Sequence, residues 1–126
     1  MIFTANELQF MTVLWNAEEP LTGMEILKRS ADKNWKDASL HTILNKMLQK
    51  GAVREVGFKK KGKAISRTFE PAISCDEYYA GLFNAHTNND PKTIPLIFSA
   101  LLRREDISRD TIEQLEELIR RRKAKL

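Results

Sequence analysis

Residues that usually build active sites and metal centres are scarce in this chain. Its 126 residues include one cysteine, Cys75, and two histidines, His41 and His86. A lone cysteine forms neither an internal disulfide nor a cysteine-pair metal site. Cys75, His41 and His86 are the readiest nucleophile or base candidates, and nothing in their spacing brings them together. The five glycines do not form a phosphate-cradling loop, and metal-ligand spacing is missing as well. An enzyme, a cofactor and a bound metal are therefore not expected. No run approaches the ~18–20 apolar residues of a membrane helix. The opening Met1-Ile2-Phe3-Thr4-Ala5 lacks the basic region and apolar run of a secretory signal. The expectation is a soluble cytoplasmic protein without membrane insertion.

What is present is an ordinary globular composition, 42% hydrophobic and 30% charged, of a size that fits one domain with an accessory element. The net charge of +4 is unevenly placed. Residues 1–75 hold 12 Lys/Arg against 8 Asp/Glu, whereas residues 76–126 hold 9 against 9. Between Lys46 and Arg67 there are 8 basic residues and one acid, Glu55. A field of that sign suits a polyanion, although a solvated lysine-rich surface would look the same by charge alone.

Pattern separates the two. Thr4-Ala5-Asn6-Glu7 reads as a capping box, with Leu8, Met11, Leu14 and Trp15 at helical spacing behind it. This helix runs to about Asn16, and Glu18-Glu19-Pro20 ends it. Thr22-Gly23-Met24-Glu25 is a second capping box, opening a short helix with Ile26 and Leu27 inward. Residues 30–35 form a polar loop. A third helix is expected over about Asp37 to Lys50, where Leu40, Ile43, Leu44, Met47 and Leu48 make one narrow stripe and Gly51 supplies the stop. Two β-prone runs, Val53 to Phe58 and Ala64 to Pro71, then flank the connector Lys59-Lys60-Lys61-Gly62-Lys63 and read as a hairpin. Three helices and a hairpin in that order predict a mainly α fold with a small β-hairpin wing, a winged helix-turn-helix over residues 1–73. Further helices are expected over Asp76 to about Thr87, Thr93 to Arg104, and from a Ser108 cap to the basic end at Arg120–Lys125. Together they would form a helical dimerisation region over 74–126.

A helix of this length enters a major groove roughly 12 Å wide, provided that one face docks and the other carries hydrogen-bonding groups. Ser39, His41, Thr42, Asn45 and Lys46 meet that need without an acid among them. Asn suits adenine edges, Lys suits guanine O6/N7, and a Thr methyl packs on the thymine methyl. Ser39 sits near the helix start, where its hydroxyl and free backbone amides suit a phosphate. Lys59, Lys60, Lys61 and Lys63, in a wing spanning 57–64, would lie along the DNA backbone. The alternative reading is a winged-helix protein-interaction module without specific DNA binding. The last three helices are too short for an independent core. Ile94, Ile97, Phe98, Leu101, Ile112, Leu115, Leu118 and Ile119 are therefore expected to be buried against the same segment of a second chain, the alternative being a monomer in which these helices fold back on the winged helix. A two-fold homodimer would present two recognition helices to double-stranded operator DNA.

Three segments in order resemble the penicillinase repressor family. They are Thr4-Ala5-Asn6-Glu7-Leu8 through Val13-Leu14-Trp15, then Trp35 with Ser39 through Gly51, and then Glu105-Asp106-Ile107-Ser108-Arg109-Asp110-Thr111-Ile112-Glu113-Gln114-Leu115. The resemblance spans nearly the whole chain. It implies a transcriptional repressor that binds inverted repeats as a dimer, its winged helices held apart on C-terminal helices. It also implies, for the β-lactam-sensing members, a membrane sensor protease system whose signal leads to cleavage of an Asn-Phe bond in the penultimate helix. The matching bond here is Ala100–Leu101, a departure from that pattern. The copper-responsive branch carries paired cysteines near the C-terminus, which this chain lacks. Where relatives carry Arg in the recognition helix this chain has His41 and Lys46, so its operator need not match theirs.

Overall fold

The computed structural model describes residues 1–126, which divide into two compact units, Met1–Phe83 and Asn84–Leu126. In the first unit, α1 (Ala5–Trp15), β1 (Leu21–Thr22), α2 (Gly23–Lys28), a 3-10 turn (Asp37–Ser39) and α3 (Leu40–Gln49) precede the hairpin of β2 (Val53–Lys61) and β3 (Ala64–Pro71). The helix α4 (Cys75–His86) follows and crosses the boundary between the units. The second unit holds α5 (Thr93–Leu102) and α6 (Arg109–Ala124).

Local rules set most of these ends. Thr4 caps α1 and Thr22 caps α2. In each the hydroxyl accepts from the amide three residues on, and the Glu at that position accepts from the cap's own amide. Gly51, at φ +74°, ends α3 in a left-handed conformation. Its amide donates to the Leu48 carbonyl and that of Ala52 to Met47, the paired bonds of a Schellman stop.

The winged helix-turn-helix is thus the observed fold of the first unit, with three differences from the sequence expectation. The third helix does not begin as α-helix at Asp37. Residues 37–39 make a 3-10 turn first, because the Ser39 amide donates to the Lys36 carbonyl three residues back. The strands do not stop at Phe58 either. They pair as far as Lys61↔Ala64, leaving a loop of Gly62-Lys63, and Gly62 at φ +63° supplies the positive first position of a tight hairpin turn. Finally, β1 adds a third strand, Leu21↔Phe69 and Thr22↔Thr68, giving the antiparallel order β1-β3-β2. A bulge at Val56 shifts the β2–β3 register between Glu55 and Gly57.

The core of the first unit is the inner stripe of α1, α2 and α3 closed by Leu21, Val53 and Phe69 of the sheet. Phe10, Met11, Leu21, Ile26 and Met47 are fully buried. Tyr78 of α4 belongs to it as well. Its ring stacks on Phe3 with centroids 4.3 Å apart, and its hydroxyl accepts from the Phe3 amide at 3.0 Å. Trp15 lies beside both rings and donates from Nε1 to the Ile73 carbonyl at 2.9 Å. These contacts carry the first unit beyond the boundary expected near residue 74.

Candidate nucleic-acid interface

The inner face of α3 fixes what its outer face presents. Leu40, Ile43, Leu44 and Met47 are buried, so the opposite side of a 3.6-residue helix must face water. His41, Thr42, Asn45 and Lys46 stand there, all exposed, and none of their side chains makes a hydrogen bond or ion pair within the chain. Ser39, half-buried, has a hydroxyl without a cap bond. Its amide is not among the free ones: it donates to Lys36, and the Leu40 amide donates to Asp37. Of the polar groups at Ser39, the hydroxyl is thus the donor left without a partner.

Two lysine–carboxylate clamps hold this helix and the wing to the frame. Glu7, the capping-box residue of α1, is only 4% exposed. Lys50, at the end of α3, donates to both its oxygens at 2.7 and 2.9 Å, while the Thr4 amide donates to one of them. Burial would raise the Glu7 pKa, but Lys50 and the Thr4 bonds outweigh it and hold the carboxyl below its ordinary value. Glu25, the capping-box residue of α2, is gripped in the same way by Lys59 of β2, at 3.0 and 3.1 Å. The Thr22 amide and this lysine together bring Glu25 down to about 2. Glu19 takes a third bond from Lys59 at 3.0 Å.

The basic cluster is thereby sorted. Of the eight cations between Lys46 and Arg67, four are matched inside the chain: Lys50 by Glu7, Arg54 by Glu70, Lys59 by Glu19 and Glu25, and Arg67 by Glu55. Lys46, Lys60, Lys61 and Lys63 have no partner. The structure thus brings Lys46 together with the polar face of α3 and leaves three wing lysines free. Lys59 is not free in the same way, since its ammonium ties the wing to the start of α2. Sequence reading gave no sign of Phe58 and Ile65, which are 71% and 65% exposed on the wing. Strand alternation and the pairing Lys60↔Ile65 put both on the same face as Lys60, opposite Lys59. Only the alternation beyond the bulge could have signalled this.

The second unit is an apolar surface. Ile94, Ile97, Phe98, Leu101, Ile112, Leu118 and Ile119 are all exposed, the last two by 60% and 63%, and Leu115 is half-buried. An open groove of about 610 Å³ runs between α5 and α6, floored by Phe98, Leu115 and Ile119 and edged by Arg122 and Lys123. Ala100 and Leu101 lie in the last turn of α5, so cleavage between them would require that turn to open.

Against this geometry, the penicillinase repressor family matches residues 3–121, nearly the full chain. The chain belongs to the penicillinase repressor family. It is a DNA-binding transcriptional repressor, with a fold to match: helices, a small antiparallel sheet and a wing. Among curated proteins, none matches the chain. No helix is long and apolar enough to cross a membrane.

Proposed function

We propose that this repressor acts as a homodimer on inverted-repeat operator DNA, with α3 in the major groove of each half-site. The observation that carries the reading is the unpartnered outer face of α3. The backbone of His41, Thr42, Asn45 and Lys46 is held in α3 by the buried stripe behind them, yet their side chains make no bond within the chain. Asn45 is assigned to an adenine edge, Lys46 to guanine O6/N7, and Thr42 to a thymine methyl. His41 reads beside them. Ser39, through its hydroxyl, and Lys60, Lys61 and Lys63 take phosphates, which set affinity and salt dependence with little sequence content.

The dimer is proposed to form through α5 and α6. Ile94, Ile97, Phe98, Leu101, Ile112, Leu115, Leu118 and Ile119 would leave water there, which is the ordinary driving force for association. Two copies related by a two-fold axis would address half-sites one or two helical turns apart. The test is selection of bound fragments from the source genome at roughly physiological salt. Enrichment of an inverted repeat is expected. Asn45→Ala should then cost ~1–3 kcal/mol on the enriched sequence and nothing on a scrambled duplex. Equal binding of both duplexes by wild type and variant would refute the assignment of α3.

A second reading, a protein-contact module, draws on the exposure of Phe58 and Ile65. It predicts no enriched sequence and no steep loss of binding with salt, so the same selection decides between the two.

A further inference from the structure

The sequence of α6 carries a seam and a charge gradient that together specify how two copies meet. Ile112, Leu115, Ile119 and Arg122 recur at steps of three, four and three, and Leu126 continues the pattern just past the helix end. This is the a/d spacing of a coiled-coil stripe, and it holds one charged residue, Arg122. Along the axis the charges separate. Residues 109–117 carry Asp110, Glu113, Glu116 and Glu117 against Arg109, whereas residues 118–126 carry Arg120, Arg121, Arg122, Lys123 and Lys125 and no acid. Glu117 engages Arg120 and Arg121 within the helix, at 2.6 to 2.9 Å. Glu113 and Glu116 at one end, and Arg122, Lys123 and Lys125 at the other, have no partner in the chain.

We infer that two copies of this chain pack α6 against α6 antiparallel, crossing near the middle of the Ile112–Arg122 seam. This rests on the proposed homodimer and fixes its geometry. A two-fold axis permits either direction: along the helix pair when parallel, across it when antiparallel. In the parallel arrangement each seam position meets itself. Arg122 would face the partner's Arg122 in a desolvating interface, with four further cations stacked on four like them, and each buried like-charge contact is costly. In the antiparallel arrangement the basic end of each copy lies on the acidic end of the other. Arg122 then sits across from Ile112 of the partner subunit, within reach of Glu113 of the partner subunit and Glu116 of the partner subunit. The helix dipoles favour the same arrangement, since antiparallel helices attract where parallel ones repel.

Cysteine cross-linking in the full chain reads this directly. In a Cys75→Ser background, Ile112→Cys and Arg122→Cys chains are mixed and oxidised, with light scattering run alongside. The expected result is a disulfide-linked dimer from the mixture and little from either chain alone. Self-cross-linking of each chain, with none gained on mixing, would establish the parallel arrangement and overturn the inference. A dimer by light scattering that forms no cross-link in any combination would overturn it too. A monomer by light scattering would instead bring down the homodimer on which it rests. Charge exchange supplies a second measure without cysteine. Arg122→Glu should weaken self-association about tenfold, and mixing it with Glu116→Arg should restore a heterodimer to near wild-type affinity. Failure of the mixture to recover would count against the antiparallel pairing.

Discussion

Residues Met1–Phe83 enclose fifteen buried apolar side chains, and Asn84–Leu126 enclose none. The difference does not come from a lack of apolar residues, because the second unit carries Ile94, Leu96, Ile97, Phe98, Leu101, Leu102, Ile112, Leu118 and Ile119 on its surface. It comes from geometry. Three helices crossing a sheet can surround a core, whereas two short helices can each cover only one side of the other. The first unit is complete as a single chain. The second has the composition of a core without the elements to enclose it, and its apolar side chains stay at the surface.

The contrast breaks most visibly through Phe10, which is fully buried at the centre of the first unit. Phe10→Ala should lower stability by ~3–5 kcal/mol through lost burial and the cavity left behind. That loss should not depend on protein concentration. Both tryptophans, Trp15 and Trp35, lie in this unit, so their fluorescence in a denaturant titration reports it alone.

Ile119→Asp is the opposite experiment, and the next largest. A carboxylate on the exposed seam of α6 should weaken self-association by on the order of a hundredfold. The tryptophan-monitored transition of the isolated chain should stay where it was. Sedimentation against concentration measures the first effect, and fluorescence the second. If Ile119→Asp lowered the tryptophan transition as Phe10→Ala does, the two units would share one cooperative core and the comparison would fail.

How much of this is readable from sequence follows the same division between local and distant. The capping boxes at Thr4/Glu7 and Thr22/Glu25 and the stripe of α3 are legible, because each is a relation within one or two helical turns. The hairpin is legible as an element but not in its register, which depends on Gly62 closing a two-residue loop. The two residues of β1 carry no period at all. Tyr78 falls to the second half by sequence because its neighbours there are helical. It belongs to the first through a contact with Phe3 that spans 75 positions. The same holds for the candidate site. The outer face of α3 is readable from its inner stripe, whereas the fate of each lysine is not. Lys50 and Lys59 find their carboxylates 43 and 34 residues away, and nothing in a basic run tells a clamp from a free cation.

The Glu7–Lys50 clamp should respond in the range of ~1–3 kcal/mol. Lys50→Met leaves a buried carboxylate without its ammonium, and a buried group stripped of its partner bears its desolvation cost. The pH dependence gives the sign. Glu7 is held below its ordinary value of 4.5 in the folded chain. Its contribution is therefore complete above that pH and is lost as pH falls through the folded value. In Lys50→Met the burial that raises the pKa is no longer outweighed by the lysine. The gap between wild type and variant should then narrow on acidification below pH 4.5, as chemical denaturation at about pH 7 and about pH 3.5 would measure.

The smallest effects divide the wing lysines themselves. Lys60 has no partner in the chain, so Lys60→Ala should leave stability unchanged and weaken all DNA sequences alike. It should also lower the salt slope of binding by about 0.9 for each phosphate that goes unneutralised. Lys59 is already matched by Glu19 and Glu25. Lys59→Ala should loosen the wing and leave the salt slope nearly as it was, since no counterion is released by a cation that pairs within the protein. Glu25 falls to about 2 only while Lys59 and the Thr22 amide hold it, so in Lys59→Ala its titration should move up toward 4.5. NMR titration of the Glu25 carboxyl would follow that shift, and DNA binding at several salt concentrations would follow the slope. An equal drop in slope for the two variants would mean that Lys59 leaves its carboxylates for phosphate when DNA arrives, and the division between clamp and contact would hold only for the free repressor.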